Sequence, residues 1–114
     1  MTTTHKVELK QQFNDCKLDK ETKHPDLWFT ELEQLRIVLK EDHNYVIEDD
    51  EMSQHIIFNI KPKAYDTLVL ILKRQLQYDA NTLDLTRIKD EIRQVFSSFK
   101  HKETSESALA ATAP

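Results

Sequence analysis

Five histidines, one cysteine, a run of three carboxylates and a scatter of lysines and arginines are the groups in this 114-residue chain that could do chemistry. His5, His24, His43, His55 and His101 fall one to a segment, and no pair has the i, i+4 spacing that would bring two imidazoles to one metal from a helix. His55 alone borders an apolar face, that of Met52 and Ile56, and is expected to be half-buried. Cys16 has no second thiol, which excludes an internal disulfide framework. Asp49, Asp50 and Glu51 are consecutive, so on a helix they point about 100° apart and do not converge on a shared ligand. Helix capping by Asp49 or Asp50 explains them better, because carboxylates favour the positive end of a helix dipole. Ser97 and Ser98 have no base at a useful offset, and nothing assembles a nucleophile, base and oxyanion donor. The sequence therefore points to a protein that is not an enzyme and takes no metal or cofactor.

Glycine is absent altogether. Phosphate-cradling loops, dinucleotide turns and nucleophile elbows all rely on glycine where the backbone needs positive φ or touches a ligand. Helix C-termini must end on other residues, and Asn44, Asn59 and Asn81 are placed to do so. Lys89, Arg93 and Lys100 form a basic strip beside the apolar face of a late helix. Lys61, Lys63, Lys73 and Arg74 form a second basic zone offset only by Asp66. Such strips commonly keep a helix solvated; the functional alternative is weak RNA contact through Lys89, Arg93 and Lys100. The formal charge of −4 opposes strong phosphate binding, and no aromatic platform for bases is evident.

The elements that would carry these groups read as helices. From Pro25 to Leu39, Trp28, Leu32, Leu35, Val38 and Leu39 share one face, and Pro25 suits a first helical position. This stretch is expected to be the central helix, with Phe29 and Ile37 off its stripe. Residues 1–8 form an extension and the start of a first helix whose stripe is Leu9, Phe13 and Cys16. The connector Asp15–His24 is charged except for Leu18. A second connector carries six acidic residues between Glu41 and Glu51, with Tyr45, Val46 and Ile47 to anchor it. A third helix runs to about Ile60 with Met52, Ile56, Ile57 and Ile60 on one face, ended by Pro62. A fourth carries Tyr65, Leu68, Val69, Leu72 and Leu76, leaving Leu70 and Ile71 pointing away. A fifth starts at an Asp84 N-cap with Leu83 stapled to Ile88, and its stripe is Ile88, Ile92, Val95, Phe96 and Phe99.

Residues 9–100 thus make one all-α domain, a compact bundle of about five helices. Its expected core holds Trp28, Leu32, Leu35, Leu39, Ile56, Tyr65, Leu72, Ile88, Ile92 and Phe96. Residues 101–114 are small and polar and read as a disordered tail or linker. No convincing strand is present. No apolar run approaches the roughly 18 residues of a membrane span, and no signal peptide is evident, so a cytoplasmic protein is expected.

The order of these features resembles the capsid-like region of the Gag polyprotein of copia-type long-terminal-repeat retrotransposons. The residues that carry the likeness are Leu9 and Phe13, the block DLWFTELEQLRIVL, the block IEDDEMSQHIIFNIKPKAYDTLV, and LDLTRIKDEIRQVF, covering Leu9 to Phe99. IKPKAYD stands where many members have Leu-Pro and then Tyr, and one cysteine cannot make the family's CCHC zinc knuckle. The resemblance implies a structural, self-associating protein, a fragment or truncated copy whose family builds particles around element RNA. RNA would be reached weakly or through a missing downstream segment. The homo-oligomer would be made by the surplus apolar residues Leu70, Ile71, Phe29 and Ile37. The alternative is a small helical adaptor or weak nucleic-acid-binding module.

Overall fold

The computed structural model describes the backbone of residues 3–79 and 84–112 and the side chains of residues 4–79 and 84–99. Helix α1 is Thr3–Asp15, α2 is Pro25–His43, α3 is Asp49–Phe58, α4 is Asp66–Tyr78 and α5 is Leu85–Thr112. A 3-10 turn, Lys63–Tyr65, leads into α4. The fold is all-α, as the spacing of apolar residues predicts.

Pro25 occupies the first turn of α2, where its missing N–H leaves nothing unsatisfied. His24 caps that turn: its Nδ1 accepts the Asp26 N–H at 3.1 Å. At the other end Asn44 takes the left-handed conformation, φ 52°, and its N–H reaches the Leu39 and Lys40 carbonyls. That is the job glycine usually does in a helix C-cap, done here by asparagine. Asn59 follows α3 without turning left-handed, at φ −122°. Glu48, rather than Asp49 or Asp50, is the N-cap of α3, and it makes no side-chain cap bond. The helix has already begun at Asp49, so Asp49, Asp50 and Glu51 act in its first turn through the dipole.

Helix α3 stops at Phe58, two residues short of the expected Ile60, because a competing pairing takes over. Leu18 and Ile60 form an isolated parallel bridge, with Leu18 N–H on the Asn59 carbonyl at 3.0 Å and Lys61 N–H on the Leu18 carbonyl at 2.8 Å. Tyr65 lies in the 3-10 turn instead of α4, yet is fully buried. Asp84 directly precedes α5 and its carbonyl accepts the Ile88 N–H at 2.9 Å. Asn81 and the expected staple residue Leu83 lie outside the described residues. The backbone of α5 stays helical to Thr112, past the point where the sequence suggests a tail.

The core is one cluster. Helix α1 contributes Leu9 and Phe13, α2 contributes Trp28, Phe29, Leu32 and Leu39, α3 contributes Met52, Ile56 and Ile57, α4 contributes Leu72, and α5 contributes Ile88, Ile92 and Phe96. Leu35, expected inside, is only half-buried, because it faces the open seam between α1 and α2 along with Cys16 and Val38. Two residues from charged connectors are fully buried, Leu18 and Ile47. Each drives its loop onto the bundle as a single apolar plug. Helix α2 is flanked by α1 and α5, but α5 is the shared wall, packed on α2, α3, α4 and the 3-10 turn.

Candidate self-association surface

Helix α4 is held to the bundle along one line and bare along the other. Leu72 is fully buried, and Leu68, Val69 and Leu76 are packed beside it. Relative to Leu72, Ile71 and Tyr78 stand about 100° and 120° round the helix and Leu70 about 160°. All three are exposed, Leu70 by 53%, Ile71 by 48% and Tyr78 by 80%. Tyr78, two turns beyond Ile71 on the same side, was legible from the i, i+7 spacing but does not figure among the surplus residues named above. Leu27, Val7 and Val46 are also exposed, but singly, which is ordinary for a protein surface.

The other expected contact residues separate. Phe29 is not a surface residue: it is 3% exposed, beside Trp28 at a ring distance of 5.7 Å. The side off the Trp28 stripe is covered by α5, which the spacing within α2 could not reveal. Ile37 is exposed and lies at the edge of the seam between α2 and α5.

That seam also corrects the basic strip. Lys89 Nζ lies 3.3 Å from Glu33 Oε1, and Arg93 pairs with both Asp26 and Asp90. Both cations lie over the Phe29 ring, at 5.5 and 5.4 Å. Hydrogen bonding to Asp26 raises the Arg93 pKa further above its ordinary value. Lys89 and Arg93 are therefore neutralised clamps between α2 and α5, not free cations. The side chain of Lys100 lies outside the described residues.

A cleft of about 360 Å³ opens between α1 and α3. Buried Phe13, Leu39 and Ile47 form its base, with half-buried Tyr45 and exposed Phe58 at its sides. Lys6 and Lys10 lie over Tyr45 at 5.3 and 4.5 Å, and Lys73 of α4 lies over Phe58 at 5.2 Å. His55 lines the cleft and is tied behind it. Its Nε2 donates to the Cys16 carbonyl at 2.8 Å, and the same carbonyl accepts the Trp28 indole N–H at 3.1 Å. The Asn59 amide nitrogen donates to the His55 carbonyl at 2.7 Å and sits 3.3 Å from Nδ1. The amide nitrogen is a donor, so the tautomer that fits this contact has Nδ1 as the acceptor and the proton on Nε2. Burial lowers its pKa, opposed by the Cys16 bond and Glu51.

Two further groups of titratable side chains are present. Burial, then the Glu31 carboxylate, pushes the Cys16 thiol up to about 11, which leaves it protonated and a poor nucleophile. His5 Nδ1 lies 2.7 Å from His43 Nε2, linking α1 to the end of α2. Among the described residues no group of three or more His, Cys, Asp or Glu could hold a metal ion. No described helix is long and apolar enough to cross a membrane. Set against family models, curated proteins and solved structures, the chain has no match.

Proposed function

We propose that this chain is a structural, non-enzymatic protein of the cytoplasm that associates with copies of itself, in the manner of the capsid-like region of copia-type Gag that its sequence resembles. The observation that carries the reading is the outward face of α4. Leu70, Ile71 and Tyr78 are large, apolar or aromatic, and exposed on a helix whose opposite side is packed. Neighbouring exposed apolar residues of this kind mark contact sites more often than isolated ones do.

The magnitudes make the contact weak. Fully burying a Leu or Ile side chain contributes about 1.5–3 kcal/mol, so removing the exposed half of Leu70 and of Ile71 contributes roughly 1.5–3 kcal/mol together. Association costs on the order of 4–15 kcal/mol in lost rigid-body freedom. Two residues cannot meet that alone, so association needs further contacts and high concentration, which suits a particle built from many repeated interfaces. RNA contact through Lys89 and Arg93 forms no part of the proposal, because both are already paired.

Leu70→Lys with Ile71→Glu tests the reading. The double variant keeps its helicity, since both positions are exposed, and its concentration-dependent sedimentation disappears. Unfolding of the variant, or association equal to that of the wild type, would remove α4 from the interface.

A further inference from the structure

Leu70 sits at the middle of an acid-to-base row on α4. Asp66, Leu70 and Arg74 follow at intervals of four, so they form one ridge along the helix, and all three are exposed. Relative to buried Leu72, Asp66 and Leu70 stand about 120° and 160° round the helix one way and Arg74 about 160° the other way. The ridge therefore runs across the outward side. Neither Asp66 nor Arg74 has an ion-pair partner among the described residues. The dipole of α4 already favours Asp66 in its first turn, but it gives Arg74 no role. Lys73, the neighbouring cation, is drawn to the flank, where it lies over the Phe58 ring at 5.2 Å.

Such a row is self-complementary. Each charge lies four residues, about 6 Å along the axis, from Leu70. Laid against itself antiparallel, the ridge sets Leu70 against Leu70 and brings Asp66 beside Arg74 at both ends. Laid parallel, it sets acid beside acid and base beside base, which costs affinity. In the antiparallel pair the two Arg74 positions are about 12 Å apart along the axis, beyond the Debye length of about 8 Å at physiological salt. Ridges of this i, i+4 kind interdigitate when two helices cross at about 50°, the commonest packing class in globular proteins. Ile71, in the adjoining row, then borders the Leu70 contact.

We infer that α4 of one copy packs antiparallel on α4 of a second copy, crossing at Leu70, with Asp66 of each copy against Arg74 of the other. This rests on the self-association reading and specifies its geometry. The pair is isologous: both copies give the same patch, and the patch is used up at two. Any larger assembly draws on a different surface.

Charge reversal read in the analytical ultracentrifuge tests it, at low salt, where exposed ion pairs are least screened. Asp66→Lys and Arg74→Glu are first matched to wild type in helicity by circular dichroism. Alone, each variant sets like charges together at both ends of the pair and associates roughly tenfold or more less tightly than wild type. Mixed in equal amounts, the two set opposite charges together at both ends, and a 1:1 complex of wild-type affinity forms. Variants that associate like wild type, or single losses that mixing does not restore, overturn the register and leave self-association standing. A wild type that stays monomeric at every concentration overturns both. Should Asp66→Lys lose helicity at the start of α4, Asp66→Asn takes its place. Its mixture with Arg74→Glu keeps one of the two ion pairs, and a mixture no tighter than Arg74→Glu alone overturns the register.

Discussion

Trp28 and His55 meet at one carbonyl, and cutting each bond separately and together measures how the three helices are joined. Trp28 is fully buried on α2 and donates its indole N–H to the Cys16 carbonyl just past α1, where His55 of α3 also donates. Removing the whole ring in Trp28→Ala costs about 3–5 kcal/mol in lost packing, plus roughly 0.5–1.5 kcal/mol for the hydrogen bond. Set against about 5–15 kcal/mol for a whole domain, that variant is close to unfolding. Trp28→Phe keeps most of the apolar contact and loses the bond. Since His55 still satisfies the Cys16 carbonyl, this change costs only about 1–2 kcal/mol. In a His55→Ala background the same change strips the carbonyl of both donors. The penalty for an orphaned buried acceptor, roughly 1–3 kcal/mol, then appears in the double variant only. Urea denaturation of the four proteins gives the coupling. The expected double variant is less stable than the two single losses predict, by about 1 kcal/mol or more. Strict additivity, or a cost under about 1 kcal/mol for Trp28→Ala, would show that this carbonyl does not join the helices.

Acid should weaken the fold through His55. Burial lowers its folded pKa below the ordinary 6.5, so above that value both folded and unfolded forms are neutral and no stability is lost. As pH falls below it the unfolded chain takes the proton first, and stability declines until the folded pKa is passed. The urea midpoint of the wild type therefore drops between pH 7 and about pH 5 more than that of His55→Gln, and equal drops would refute the assignment. Tyr65 supplies the opposite case. Its ring is fully buried edge-on to Phe99, at 5.2 Å, while its hydroxyl has no hydrogen-bond partner among the described residues. Burial, then the Glu21 carboxylate, pushes its pKa up to about 12. Tyr65→Phe removes an unsatisfied polar group without changing the ring, so thermal melting should show equal or greater stability. A loss above about 1 kcal/mol would reveal a partner for that hydroxyl.

Helix faces were legible because burial repeats with the helical period. The spacing within Pro25–Leu39, Met52–Ile57 and Ile88–Phe96 is enough to place Trp28, Ile56 and Ile92 inside. Single plugs carry no period, which is why Leu18 looks like a minor interruption in a charged connector although it is fully buried; of the expected anchors Tyr45, Val46 and Ile47, Ile47 is buried and Val46 is exposed. Periodicity also marks a residue as off the main stripe without saying what lies opposite. Leu70 and Phe29 look alike by that measure; α5 covers Phe29 and nothing described covers Leu70. Charge patterning has the same blindness. Lys89 and Arg93 form a strip in sequence, but their partners Glu33 and Asp26 sit on a different helix. The α1–α3 cleft and the Cys16 carbonyl join residues roughly 40 positions apart. Local patterning has no signal for such a meeting, except that His55 borders an apolar face.

Sedimentation equilibrium of the unmodified chain over a wide concentration range tests self-association most directly. The weight-average mass should start at the monomer value of 13.5 kDa when dilute and rise above it as concentration increases. A mass fixed at the monomer value across the whole range would contradict the proposed function outright.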